Sequence, residues 1–93
     1  MIFGIFRISG HSMIPTLKPR DRVIVSSIPY FFSSPKIGDI IVFKYNNKII
    51  IKRIKKFENG KIIVAGDNSS DTLKIVPIEG DFILGKVIFI LNT

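Results

Sequence analysis

Ile40-Ile41-Val42-Phe43-Lys44-Tyr45-Asn46-Asn47-Lys48-Ile49-Ile50-Ile51-Lys52-Arg53-Ile54-Lys55-Lys56-Phe57 decides the fold. Its first six residues are apolar on both sides of an extended chain, the pattern of a strand covered on two faces. Asn46-Asn47 is a two-residue hairpin signal, because asparagine tolerates the positive φ that a tight turn between strands requires. The chain therefore returns through residues 48–57. Glu58-Asn59-Gly60 makes a second tight turn into Lys61-Ile62-Ile63-Val64-Ala65. A three-stranded meander over residues 40–65 is expected.

Towards the N-terminus, residues 3–9 read as a strand, Pro15, Pro19 and Asp21 surround a turn, and Arg22-Val23-Ile24-Val25-Ser26 reads as a second strand. Residues 28–35 are bounded by prolines, which cannot donate to a sheet ladder, so this segment is expected to be a loop or an edge. Its aromatic run Tyr30-Phe31-Phe32 has two readings: it folds back onto the core, or it forms an exposed apolar lip that meets a membrane or an unfolded peptide. Towards the C-terminus, residues 66–72 are a polar loop, residues 73–77 are extended, and residues 82–91 are a last strand interrupted by Gly85. Isoleucine, valine and phenylalanine occur in short runs between turn residues, and no run has helical period and helical length. The expected fold class is all-β: a small coiled antiparallel sheet or half-open barrel that reduces its exposed edges by curling.

At 93 residues the chain reads as one domain, 1–93, and 46% hydrophobic residues supply a core. It has no cysteine and a single histidine, which excludes disulfides, thiolate metal sites and a histidine-based zinc site; neither metal nor cofactor is expected. The net charge of +7 is enough to attract nucleic acid or anionic lipid. Met1-Ile2-Phe3-Gly4-Ile5-Phe6 meets Arg7 too early to span a bilayer, which needs roughly 20 apolar residues. It also lacks the charged start of a secretory signal. Neither a transmembrane anchor nor an export address is expected.

Chemistry concentrates in two stretches. Gly10-His11-Ser12-Met13-Ile14-Pro15-Thr16-Leu17 carries a serine on a proline-stiffened turn. A serine hydroxyl is a poor nucleophile until a neighbouring base takes its proton, and the candidate bases are His11 and Lys52. His11 is adjacent to Ser12, and in extended chain successive side chains point to opposite sides, which places it badly. Lys52 shares a strand face with Ile50 and Ile54. An ammonium between isoleucines loses hydration, which lowers its pKa; to act near neutrality it must fall from about 10.4 to roughly 7–8. The competing reading makes Lys52 part of a solvated basic edge with Arg53, Lys55 and Lys56.

In order along the chain, Ser9-Gly10-His11-Ser12-Met13-Ile14-Pro15-Thr16-Leu17, Gly38-Asp39-Ile40-Ile41-Val42, Ile51-Lys52-Arg53-Ile54 and Gly66-Asp67-Asn68 with Ser69 and Asp71 resemble the boxes of the type I signal peptidases, Ser-Lys peptidases of bacterial type. The resemblance covers residues 7 to about 90. It implies a signal-peptidase-like catalytic core in which Ser12 is the nucleophile and Lys52 the general base. Ser69 would orient the lysine amine, Arg53 and Asp71 would form a supporting ion pair, and Asp67 would hold its loop beside the site. Met13 and Pro15 would shape the nucleophile turn and the wall of the substrate groove. Gly10 stands at the oxyanion position, where many members carry a serine hydroxyl as second donor. This leaves the backbone N–H of Ser12 as the named donor. Neither the N-terminal membrane helix usual in the family nor its large cap insertion is expected, and the resemblance is then to short forms such as the nickel-type superoxide dismutase maturation proteases.

The implied function is a serine endopeptidase that removes an N-terminal signal or pro-segment from a precursor protein bound as an extended peptide. The resemblance also implies peripheral attachment to a membrane, with the cytoplasm as the alternative location, and no specific nucleic acid as partner. Two other readings compete. One is the related self-cleaving SOS repressors, whose DNA-binding region and cleavage loop have no counterpart here. The other is a non-catalytic basic β-module that binds nucleic acid or anionic lipid through Lys36, Lys44, Lys48, Lys55, Lys56 and Lys61, with affinity that falls steeply in salt.

Overall fold

The meander forms over the residues that specify it. In the computed structural model, which describes residues 2–69 and 76–92, the strands are β1 (Gly4–Arg7), β2 (Arg22–Ser26), β3 (Ile40–Tyr45), β4 (Lys48–Glu58), β5 (Lys61–Ala65), β6 (Val76–Ile78) and β7 (Ile83–Leu91). Tyr45 pairs with Lys48 and Glu58 with Lys61. Both hairpins turn on positive φ, 50° and 63° at Asn46 and Asn47 and 51° and 76° at Asn59 and Gly60. These are the torsions for which such residues are preferred between twisted strands.

The strands form one antiparallel sheet in the order β1-β2-β7-β3-β4-β5-β6. It is all-β and not closed, in agreement with the all-β antiparallel sheet expected from the sequence. The last strand inserts between β2 and β3 and so joins the N-terminal hairpin to the meander. Gly85 permits this: a Cβ there would lie 2.8 Å from Val25 Cγ1 and 2.9 Å from the Ser26 carbonyl oxygen. Gly85 thus marks a close approach of β2. A 3-10 turn, Gly80–Phe82, leads into β7. β6 carries Pro77 at the sheet edge, where a missing N–H breaks no ladder. Residues 73–75 of the extended segment expected there lie outside the described residues.

Residues 28–35 differ from expectation. They contain a one-turn helix, α1 (Pro29–Phe32), with the proline at its start. Pro29 is compatible with a helix there because the first turn's N–H groups have no intrahelical partner to lose. The aromatic run divides between its two readings. Tyr30 packs against the core and donates its hydroxyl to Asp39 Oδ2 at 2.7 Å, whereas Phe31 and Phe32 are 73% and 86% exposed. Burial, and then the bond to Asp39, push the Tyr30 phenol's pKa up.

Two apolar clusters make the core, and β3 serves both. Ile40 and Val42 point into a cluster with Ile8, Met13, Leu17, Val23 and Val25. Ile41 and Phe43 point into one with Ile54, Ile62, Val64 and Ile78. This two-sided burial accounts for the uninterrupted apolar run that marked β3 in the sequence.

β4 has two neighbours for only part of its length. β3 pairs with residues 48–53, whereas β5 pairs with Arg53, Ile54 and residues 56–58. One edge of residues 48–51 therefore has no strand beside it in the described sheet, and neither does the outer edge of the terminal strand β1.

Candidate active site

Ser12 sits half-buried in a turn rather than in an extended chain, so strand alternation does not govern how it stands relative to His11. Met13 and Leu17 anchor this turn in the first cluster, and the Leu17 N–H donates to the Met13 carbonyl at 2.9 Å. Gly10 enters the turn with φ +80°, a torsion that disfavours any side chain. A serine at this position would have open space but a strained backbone.

The loop after β5 is laid directly on the serine. The Asn68 N–H donates to the Ser12 carbonyl at 2.9 Å, and Asn68 Nδ2 donates to the His11 carbonyl at 2.8 Å. Gly66 packs so closely that a Cβ there would collide with the Ser12 carbonyl oxygen and reach 3.1 Å from Ser12 Cβ. Only a residue without a side chain permits this approach.

Asp67 locks the same loop to β4 and to the serine turn. Arg53 grips it with two parallel bonds, Nε to Oδ1 and Nη2 to Oδ2, each 2.8 Å, and Thr16 Oγ1 donates to Oδ2 at 2.6 Å. Arg53 Nη1 also donates to the Gly38 carbonyl at 2.7 Å, which ties in the turn before β3. The Asp67 side chain is only 11% exposed, where a forked, charge-assisted contact is stronger than a surface ion pair. The bond from Arg53 holds the Asp67 carboxyl below the usual carboxylate range, with help from Thr16 and against the opposing effect of burial. The same contact raises the Arg53 guanidinium.

Of the residues singled out in the sequence, Ser12, Arg53 and Asp67 are thus brought together. Arg53 makes its ion pair with Asp67; Asp71, the partner implied by the resemblance, lies outside the described residues. Lys52 is half-buried on β4 opposite Ile41. Ser69 is exposed one residue beyond Asn68. Met13 is a core anchor, 1% exposed, and Pro15 is exposed at the turn. Neither lines the cleft beside Ser12. An open cleft of about 240 Å³ beside Ser12 is lined by Phe6, Arg7, Ile8, Ser9, Val42 and residues 49–51. The sequence assigns no role to Thr16 or Asn68, which bond Asp67 and the His11 carbonyl; their polar side chains, adjacent to Pro15 and Asp67, are the available signal.

Among the described residues no group of histidine, cysteine, aspartate and glutamate side chains is arranged to hold a metal ion. No helix there is long and apolar enough to cross a membrane.

An open all-β sheet that clamps a serine-bearing turn beside a cleft defines the class. Residues 1–56 match the family described as signal peptidase, peptidase S26, and the chain belongs to that family. It is 33% identical over 89 residues to a probable thylakoidal processing peptidase 2, chloroplastic, of Arabidopsis thaliana, covering 77% of this chain and 24% of the relative. Identity to thylakoidal processing peptidase 1, chloroplastic, of the same plant is 34% over 90 residues, covering 83% and 26%. A signal peptidase I of Leptolyngbya laminosa is 56% identical over 36 residues, covering 39% of this chain and 18% of the relative. The chain therefore spans a minor part of the length of the relatives it matches.

Proposed function

We propose that residues 1–93 form the catalytic unit of a serine endopeptidase that removes an N-terminal signal or pro-segment from a precursor protein, with Ser12 as nucleophile and Lys52 as general base. The observation that supports this reading most is the backbone contact between Gly66 and Ser12. Arg53 pairs with Ala65 across β4 and β5, so the next residues on the two chains are Lys52 and Gly66. Opposed residues share a sheet face. On that continuation Lys52 would lie on the side of Gly66 where a Cβ would meet Ser12, which supports the pairing of the two side chains.

In this mechanism Ser12 Oγ attacks the scissile carbonyl carbon as its proton passes to the neutral Lys52 amine. The carbonyl oxygen becomes an oxyanion, to which the Ser12 backbone N–H donates. The C–N bond breaks, Lys52 returns the proton to the leaving nitrogen, and a Ser12 ester remains. Water, deprotonated by Lys52, adds to the ester carbon; the bond to Ser12 Oγ breaks, and Lys52 returns the proton to that oxygen. The clamp of Arg53, Asp67 and Thr16 positions the serine turn against β4; none of its members takes part in bond making.

The outer edge of β1 and the edge of residues 48–51, which have no neighbouring strand in the described sheet, flank the cleft. Such edges offer backbone donors and acceptors to an added strand. An extended precursor segment entering there would lie across Ser12, with Phe6, Ile8, Val42 and Ile51 lining the space for its side chains. Phe31 and Phe32, exposed on α1, are the proposed point of peripheral contact with a membrane surface.

The test is cleavage of precursor-derived peptides by wild type, Ser12→Ala and Lys52→Ala, with the fold followed by circular dichroism. Loss of cleavage in both folded variants is expected. Cleavage that persists in Ser12→Ala refutes the assignment.

A further inference from the structure

We infer that Arg7, backed by Arg22, selects an acidic side chain at one position of the bound peptide. The inference rests on the peptide-binding reading above. Phe6 packs against the first core cluster, whereas Ile5 and Arg7 are exposed and share the outer face of β1. Arg7 pairs directly with Arg22 on β2, and Arg22 pairs with Leu91 on β7. Like charges directly opposed on neighbouring strands repel. The ion pairs of Asp67, Glu58, Glu79 and Asp39 include neither Arg7 nor Arg22. Two cations therefore stand in one cross-strand row, and among the described residues neither appears in an ion pair with an acid.

That row ends at the free edge of β1, and Arg7 is one of the residues that line the cleft. A peptide strand added to this edge extends the row by one residue, next to Arg7. An aspartate or glutamate there would sit beside one arginine and one strand away from the other. The neighbouring outer-face row runs Ile5, Ile24, Phe89 and is apolar. The peptide residue two positions from the acid, on the same face, meets Ile5. The geometry thus specifies an acidic and an apolar side chain two residues apart.

The test uses end-capped peptides of about ten residues, randomised except that aspartate, asparagine or lysine is fixed at each position in turn. Cleavage is followed by mass spectrometry at low and high salt, with Ser12→Ala as the blank. Wild type is expected to cleave peptides with aspartate at one position about 2- to 5-fold faster than those with lysine, a ratio that shrinks with salt. Arg7→Glu should lose that preference; it also replaces a like-charged pair by an opposite one, which favours folding. Arg22→Glu should weaken the preference, because it supplies Arg7 with an acid inside the sheet. Ser12-dependent cleavage without a charge preference, or with one that survives Arg7→Glu, overturns the inference and leaves the peptidase reading standing. Absence of any Ser12-dependent cleavage overturns both.

Discussion

The two core clusters are assembled differently, and the proposed catalytic pair draws one residue from the neighbourhood of each. The cluster of Ile41, Phe43, Ile54, Ile62, Val64 and Ile78 is made mainly by successive hairpin strands. The other packs Met13 and Leu17 of the serine turn against Val23, Val25, Ile40 and Val42, with β7 threaded through from the far end of the chain. Lys52 therefore rides on locally specified structure, whereas Ser12 depends on contacts between segments distant in sequence. Contacts of the second kind require larger loop closures before they form. The junction is closed by a polar clamp, Arg53 with Asp67 and Thr16, and by the contact of Gly66 with Ser12. It follows that the site can be disturbed without disturbing the meander.

Truncation of the anchors gives the largest expected effect. Met13→Ala and Ile54→Ala should each cost about 2–5 kcal/mol in chemical denaturation, since both side chains are fully buried. At temperatures where both variants remain folded, Met13→Ala should lose more activity, because its cavity lies under the serine turn. Equal losses would erase the distinction between the clusters.

Next is the clamp. Asp67→Asn removes the acceptor of charge-assisted bonds and should cost about 1.5–3 kcal/mol near neutral pH. The pH dependence has a definite sign. Because the folded-state pKa of Asp67 is lowered, its contribution is complete above the ordinary carboxylate value near 4 and is lost as pH falls through the lowered folded value. Denaturation curves of wild type and Asp67→Asn should therefore converge as pH falls. A gap that persists at the lowest pH would assign the difference to something other than the carboxylate.

Gly66→Ala sharpens the comparison furthest. The new Cβ meets backbone at Ser12, which has no rotamer by which to escape. A stability loss of about 1–3 kcal/mol is expected, with a larger proportional loss of cleavage as the turn is pushed from β4. A variant as active as wild type would show that the contact does not position the serine.

What was legible in the sequence follows the same division. The meander could be read residue by residue because Asn46-Asn47 and Asn59-Gly60 select turns by their backbone torsions and β3 declares two-sided burial by its apolar run. The place of β7 could not be read, since nothing local in residues 83–91 states that they lie between β2 and β3; Gly85 signals a close approach but not with which strand. In the candidate site, Ser12 and Lys52 were conspicuous as a serine on a proline-stiffened turn and a lysine among isoleucines. The bond from Arg53 to Asp67 was not, because spacing alone does not choose between Asp67 and Asp71. The walls of the cleft were hidden because Phe6, Ile8 and Val42 look like any other apolar residues until the fold brings them together beside Ser12.

The central claim is that Lys52 is the base for Ser12, and the pH dependence of kcat/KM for a cleaved precursor peptide tests it most directly. The account predicts a rate that rises with pH as the lysine amine becomes neutral, and no turnover in Lys52→Ala at any pH at which the variant is folded. A flat profile together with an active Lys52→Ala would contradict it.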